Sequence, residues 1–286
     1  MQNCIFFVVI LFLFTSYSNS QNSIISANEF IKYSQNNKLK IIDASDPATY
    51  AKSHIIGAVN LPFTELNQKQ GKVKGLMETP ENMAKKLGEL GISEKDAIVI
   101  YDDGTTRSSA RVYWLLKYLG ASNIKLLHKQ LNMWELAGIA MTDRSEKIKP
   151  ETFLPKVNNE MLINLQEIDK MINEIVFIDA RDVSEYSGTD SGGLAYNNKG
   201  HFPNAISVEY KSLLNDNYSF KSAEEISKIL ENKGLTKGKN YVIYCWIGLR
   251  ATVVYFALTE LLHYPNVKLY DGSYEEWNFE GKPLIK

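Results

Sequence analysis

The chain has 286 residues, 44% of them hydrophobic and 23% charged, with a net charge of −1 and two cysteines. That length suits two domains of ordinary size, and the composition suits a globular protein with a sizeable core. Acids and bases are interspersed, so there is no electrostatic footprint for nucleic acid or an anionic membrane surface, and any anionic ligand must be caught by a local site.

The first twenty residues differ from the rest. The run IFFVVILFLF holds ten apolar residues, too short to span a bilayer comfortably, and the small polar stretch TSYSNS follows it. Ser18 and Ser20 fit a small-x-small cleavage site, although the basic residues that usually precede such a run are missing. The expectation is a signal peptide over 1–20 and a periplasmic or secreted protein, with an uncleaved N-terminal anchor as the alternative. Cys4 lies ahead of the apolar run, so the mature chain keeps one cysteine, Cys245. A lone thiol forms no internal disulfide, and in an exported protein it is reactive or intermolecular.

Down the chain, short β-branched runs alternate with helical segments. KLKIIDA and AIVIY read as buried parallel strands, with IKLL a third. Between them Pro80–Leu90 reads as a helix ending at a glycine, and SARVYWLLKYLG as a helix apolar nearly all round and therefore central. The stretch SEKIKPETFLPKVNN is polar and carries two prolines, marking an extended linker over 144–158. Beyond it the pattern returns with EIVFIDA, helix Ala223–Lys233, NYVIY, the apolar ATVVYFALTELLHY and VKLY.

The return is a duplication. A constant offset of 143 pairs Gly91 with Gly234, Val99 with Val242, Arg107 with Arg250, Lys125 with Lys268, Trp134 with Trp277 and Gly138 with Gly281. Upstream, IIDASDPATY resembles FIDARDVSEY and HIIGAVNLPF resembles HFPNAISVEY, with about eleven extra residues around SGGLAYNNKG in the second copy. Strands alternating with helices give two α/β domains, each a parallel sheet flanked by helices, over 24–143 and 159–286. Function is then expected at the carboxyl ends of the strands, where Tyr101 and Tyr244 stand.

The two copies differ most tellingly at one turn. YDDGTTRS and YCWIGLRA share Tyr and Arg, but the second position is Asp102 in one and Cys245 in the other. A six-residue turn from strand to helix points backbone N–H groups inward, and the helix terminus near Ala251 adds positive partial charge. Gly248 frees the turn and Arg250 places a cation beside it, so Cys245 is expected to be held as a nucleophilic thiolate. A lone cysteine is more often a small buried hydrophobe, and the glycine, arginine and helix terminus together reverse that reading.

These residues resemble the tandem-domain rhodanese family, the thiosulfate and 3-mercaptopyruvate sulfurtransferases, through CWIGLRA, YDGSYEEW, FIDARDVSEYSG and GHFPNAISVEY. The resemblance covers nearly all of the mature chain. It implies two rhodanese-like domains, the second catalytic and the first degenerate. It implies that Cys245 carries a persulfide between a small-molecule sulfur donor and cyanide, a thiol or a protein thiol, with no cofactor. Trp246, Ile247, Gly248, Leu249 and Arg250 would bind the donor. Asp102, at the mouth of its own cradle, would repel an anionic donor, leaving the first domain to wall one side of the site, with a regulatory or partner-docking role as the alternative. Mammalian-type members carry a donor-binding arginine six residues past the strand-terminal aspartate, whereas counting from Asp179 reaches Glu185. Arg181 is the remaining candidate for donor binding, against a simpler reading as a salt bridge.

Cysteine phosphatases and arsenate reductases share the fold, but their loops place five residues between Cys and Arg, and here there are four. A non-enzymatic persulfide carrier or redox-sensing module is the further alternative. His54, His128, His201 and His263 show no ligand spacing, so no metal is expected, and no nucleotide-binding glycine motif is present. Export makes a direct prediction: sequencing the mature amino terminus should find Gln21 or a close neighbour, and an intact Met1 on a soluble cytoplasmic protein would refute it.

Overall fold

The computed structural model describes residues 23–128, 134, 136–190 and 199–286. The expected leader, with Cys4, lies outside the described residues, as does most of the SGGLAYNNKG insertion. Among the described residues no helix is long and apolar enough to cross a membrane.

Each copy of the repeat builds one five-stranded sheet with all strands parallel. In the first the strands lie in the order Ile24–Ile25, Ile124–Leu127, Ala97–Tyr101, Leu39–Asp43 and Ala58–Asn60. The second repeats that order with Leu162–Ile163, Val267–Tyr270, Asn240–Tyr244, Ile175–Asp179 and Ile206–Ser207. The registers match too, Asp43 lying beside Tyr101 and Asp179 beside Tyr244. The β-branched runs are buried on both faces, as parallel strands covered by helices require. A two-stranded antiparallel pair, His54–Ile55 with Met141–Thr142, closes the first domain on itself.

The helices begin and end where their side chains dictate. Thr79 caps Pro80–Glu89 by accepting from the Asn82 N–H, and a capping box of Ser222 and Glu225 opens Ala223–Asn232. Both helices are followed by a left-handed glycine, Gly91 and Gly234.

Arg107–Tyr118 and Ala251–Phe256, the second continuing as a wider π turn over Ala257–Leu261, pack against each other between the two sheets. Tyr113 meets Phe256 edge-on at 4.8 Å, and Trp114 meets Tyr255 at 6.4 Å. Each helix therefore has its own sheet on one side and the sister helix on the other, which is why both are apolar nearly all round. The matched histidines are structural: His54 and His201 each stack at 3.8 Å on a tyrosine, Tyr50 and Tyr186, with Nδ1 on that tyrosine's carbonyl. Trp134 and Trp277 are buried, with each indole N–H donating to a backbone carbonyl.

The linker carries no helix or strand from residue 144 to 158, yet it is strapped to the first domain. Glu151 N–H donates to the Gly88 carbonyl at 2.9 Å, and Lys156 and Asn158 donate to the Leu119 and Tyr118 carbonyls at 2.8 Å each. The close approach requires glycine at position 88, since a Cβ there would lie 2.6 Å from the Glu151 carbonyl oxygen. Helix propensity alone favours Gly88→Ala by about 1 kcal/mol. The strap predicts the opposite sign, a loss of about 1–3 kcal/mol from the overpacked contact. Thermal unfolding decides between them: a raised Tm for Gly88→Ala would show that the linker is not held there.

Candidate active site

The site is built from the carboxyl ends of Ile175–Asp179 and Asn240–Tyr244, as expected for a parallel sheet. Tyr244 donates its hydroxyl to Asp179 at 2.7 Å and accepts from the Phe202 N–H at 3.1 Å, fixing the end of the strand that delivers Cys245. Asp179 holds Arg181 through two nitrogens, Nε at 3.0 Å and Nη2 at 2.6 Å. Arg181 Nη2 also donates to the Gly200 carbonyl at 2.7 Å, and the guanidinium lies 4.0 Å over the Tyr274 ring. Arg181 is 1% exposed, and its Nε and Nη2 are engaged by Asp179 and Gly200, which is the geometry of the salt-bridge reading.

Cys245 is the first residue past the strand and is itself 1% exposed. The start of helix Ser273–Phe279 pins the first half of the loop. Tyr274 N–H donates to the Cys245 carbonyl at 3.1 Å and Glu275 N–H to that of Trp246 at 3.2 Å, while Cys245 N–H donates to Ser273 Oγ at 3.3 Å. The Trp246 ring stacks on Tyr274 at 4.9 Å. Through these contacts the YDGSYEEW segment orients the thiol loop from outside. Sequence reasoning singled out the motif without assigning Ser273 and Tyr274 this role, because the contact is made across the strand ends. Gly248 has φ +79°, the left-handed conformation that glycine adopts without strain. Ile247 packs onto Gly75, so a segment of the first domain does wall the loop.

Arg250 opens the helix beside the loop, but it is not a free cation. Glu185 binds it through both oxygens, at 2.5 and 2.9 Å, and Asp182 approaches at 3.5 Å. Burial disfavours the Arg250 charge, but Glu185, Cys245 and Asp182 together outweigh that cost and hold the guanidinium protonated above its ordinary range. Glu185, which stands where mammalian-type relatives carry an arginine, is thus the partner of the loop arginine. Nearby, Lys211 bonds Asp182 at 3.1 Å. Burial, then the neighbouring Asp182, pushes the Glu209 carboxyl up.

The first copy corrects one expectation. Asp102 does not sit at the mouth of its loop to repel an anion. Its carboxylate folds into the turn and accepts from the N–H groups of Gly104 at 2.8 Å, Thr106 at 3.2 Å and Ser109 at 3.1 Å, and from the Ser109 hydroxyl. The cradle fills itself. Burial pushes the Asp102 carboxyl up, and the N–H groups pull against that. In the second copy, among the described residues, no side chain accepts from the backbone N–H groups of residues 246–250.

A duplicated parallel α/β domain with one self-filled loop and one thiol loop defines a class, and comparison with known proteins gives the same one. The family model for the rhodanese-like domain matches residues 26–137 and 164–280, and the chain belongs to that family. A protein of Synechococcus elongatus named "Putative thiosulfate sulfurtransferase" is 28% identical over 87% of this chain and 80% of its own length. A Mycobacterium bovis protein, "Putative thiosulfate sulfurtransferase 1", is 32% identical over 84% of this chain and 88% of its own. Among solved structures, SseA from Escherichia coli, described with the 3-mercaptopyruvate sulfotransferases, aligns with a TM-score of 0.79 and 25% identity over 88% of this chain and 99% of SseA. The chain is a sulfurtransferase enzyme with tandem rhodanese-like domains.

The Glu185–Arg250 pair makes a prediction about charge. Glu185→Gln keeps a hydrogen-bonding partner for Arg250 but removes the balancing negative charge, so the loop gains net positive potential. Its kcat/KM for a dianionic donor should rise, by roughly tenfold for each 1.4 kcal/mol of added attraction. Steady-state rates at low and high salt measure this, and an unchanged or lower kcat/KM at low salt would show that Glu185 serves to orient Arg250 and not to offset its charge.

Proposed function

We propose that the chain moves a sulfane sulfur from thiosulfate, through a persulfide on Cys245, to cyanide or a thiol, protein thiols included. The contrast between the two loops carries this reading. One fold and one register are used twice, and only the copy with a thiol leaves the N–H groups of its loop without an internal carboxylate.

In the first step the Cys245 thiolate attacks the outer sulfur of thiosulfate. A bond forms between Sγ and that sulfur, the S–S bond of thiosulfate breaks, and its electron pair leaves with sulfite. In the second step cyanide or a thiolate attacks the outer sulfur of the persulfide. The Sγ–S bond breaks, its electron pair returns to Cys245 as thiolate, and the product is thiocyanate or a new persulfide. Covalent catalysis of this kind divides one difficult transfer into two easier ones. The N–H groups of Trp246 to Arg250 supply fixed positive dipoles for the sulfur's developing charge.

Thiosulfate is supported as donor by the names of the relatives in Synechococcus elongatus and Mycobacterium bovis. 3-Mercaptopyruvate is the competing donor, supported by the likeness to SseA. The four-residue spacing between Cys245 and Arg250 favours a sulfur atom over the larger phosphate of the phosphatase reading. Incubation with thiosulfate should add one sulfur, about 32 Da, to the intact mass, and cyanide should remove it. Turnover compared between thiosulfate and 3-mercaptopyruvate ranks the donors, and full sulfur transfer by Cys245→Ser would end the persulfide mechanism. A chain that takes up one sulfur but never turns over would be a carrier instead.

A further inference from the structure

We propose that Arg111, a residue of the first domain, positions the sulfur-transfer loop of the second through Gly248. Arg111 lies on the central helix of the first domain, and its repeat counterpart in the second is Val254. An arginine here is costly: it is 0% exposed, and burying a guanidinium demands partners. Nη2 has one, since it bonds Asp271 across the domain interface. Nε and Nη1 are buried with no hydrogen-bond partner among the described residues, although the guanidinium lies 5.3 Å from the Trp114 ring.

Nη1 points toward the thiol loop. A Cβ placed on Gly248 would lie 3.1 Å from Arg111 Nη1 and 3.2 Å from Asp271 Oδ1. The Arg111–Asp271 pair thus forms a rigid floor under the one left-handed residue of the loop, and Gly248 fits because it has no side chain. Asp271 itself is tied back to the first domain, where its other oxygen accepts from the Met77 N–H at 2.7 Å. The loop is held from above by Ser273 and Tyr274 and from below by a cation–carboxylate pair spanning both domains. A planar guanidinium bonded on one side presents its remaining N–H edge in a fixed place, which a lysine on its flexible stem does not. Arg111 touches neither donor nor reacting sulfur in this scheme. It acts on the direction of the N–H groups around Gly248, which must face the sulfur to stabilise it.

The inference rests on Cys245 being the sulfur carrier, and its test separates the two claims. Arg111→Lys keeps a cation for Asp271 and should fold, with Arg111→Met as the harsher companion. The measurements on the full chain are thermal unfolding, kcat and KM with thiosulfate and cyanide, and alkylation of Cys245 by iodoacetamide. The alkylation rate at neutral pH is divided by that in alkaline buffer, so that differences in access cancel. Arg111→Lys should lower kcat per folded molecule by roughly 10- to 100-fold with the donor KM little changed, because loop geometry and not donor contact is lost. The alkylation ratio should fall with it. Gly248→Ala should then cost less in the Arg111→Lys background than in the wild type, the sign of a direct coupling. A merely structural arginine would lower Tm and leave kcat per folded molecule, the alkylation ratio and the coupling unmoved, and that result overturns the proposal. The alkylation arm uses no sulfur donor, so a wild-type chain that transfers no sulfur would refute the function while the alkylation ratio still decides the role of Arg111.

Discussion

Backbone N–H groups turned inward at the end of a buried strand have to be met by something negative, because leaving such donors unpaired in an interior is costly. Both halves of this protein contain that turn, and they meet the requirement in different ways. In the first half the chain supplies its own anion, the Asp102 carboxylate. In the second the equivalent residue is Cys245, whose sulfur is charged only as a thiolate, so the donors are available to a reacting group. The first-domain loop is therefore not a broken copy of the thiol loop. It is the same turn in a satisfied state, closed by its own carboxyl group without a ligand.

The duplication also explains why neither loop stands alone. Gly75 and Tyr218 lie 143 positions apart and both have positive φ, +88° and +59°. Ile247 of the thiol loop packs on Gly75, while Thr106 of the silent loop donates its hydroxyl to the Tyr218 carbonyl at 2.5 Å. Each domain closes the other's loop, as two subunits do across an isologous interface. The two domains are also joined through Glu260, which accepts from the Tyr113 and Ser23 hydroxyls at 2.7 and 2.8 Å. Covalent fusion lets the two surfaces diverge. That freedom is what allows Arg111 to occupy the place of Val254, and Asp271 that of His128, without a matching change on the other side.

What the sequence revealed follows from what is local in it. Strand runs, helix ends at Gly91 and Gly234, the repeat offset and the position of Cys245 ahead of a helix depend on neighbours within a few residues, and all are read from pattern. What stayed hidden depends on direction or distance. Asp102 could be placed on the loop, but whether its carboxylate faces out or folds into the turn is set by the backbone path through Gly104 and Thr106, both at positive φ. The pairing of Arg250 with Glu185 spans 65 positions, and that of Arg111 with Asp271 spans 160. No periodicity announces either. The exchange of an arginine for Glu185 was visible as a departure from the family pattern, and only the fold supplies its consequence, a carboxylate clasping the loop's own arginine.

That consequence bears on how the loop selects its ligand. The loop's own cation, Arg250, is bound by Glu185, and neighbouring Lys211 is bound by Asp182. Long-range attraction for an anion is correspondingly small, since opposed charges a few ångströms apart cancel beyond their own separation. Attraction then falls to the loop's backbone N–H dipoles, which act only at contact and only along their own directions. Recognition by contact discriminates by size and shape more than by charge. A loop with four residues between thiol and arginine, braced by Tyr274 on one side and Arg111 on the other, therefore owes its fit to any ligand to a fixed backbone path and not to a free cation.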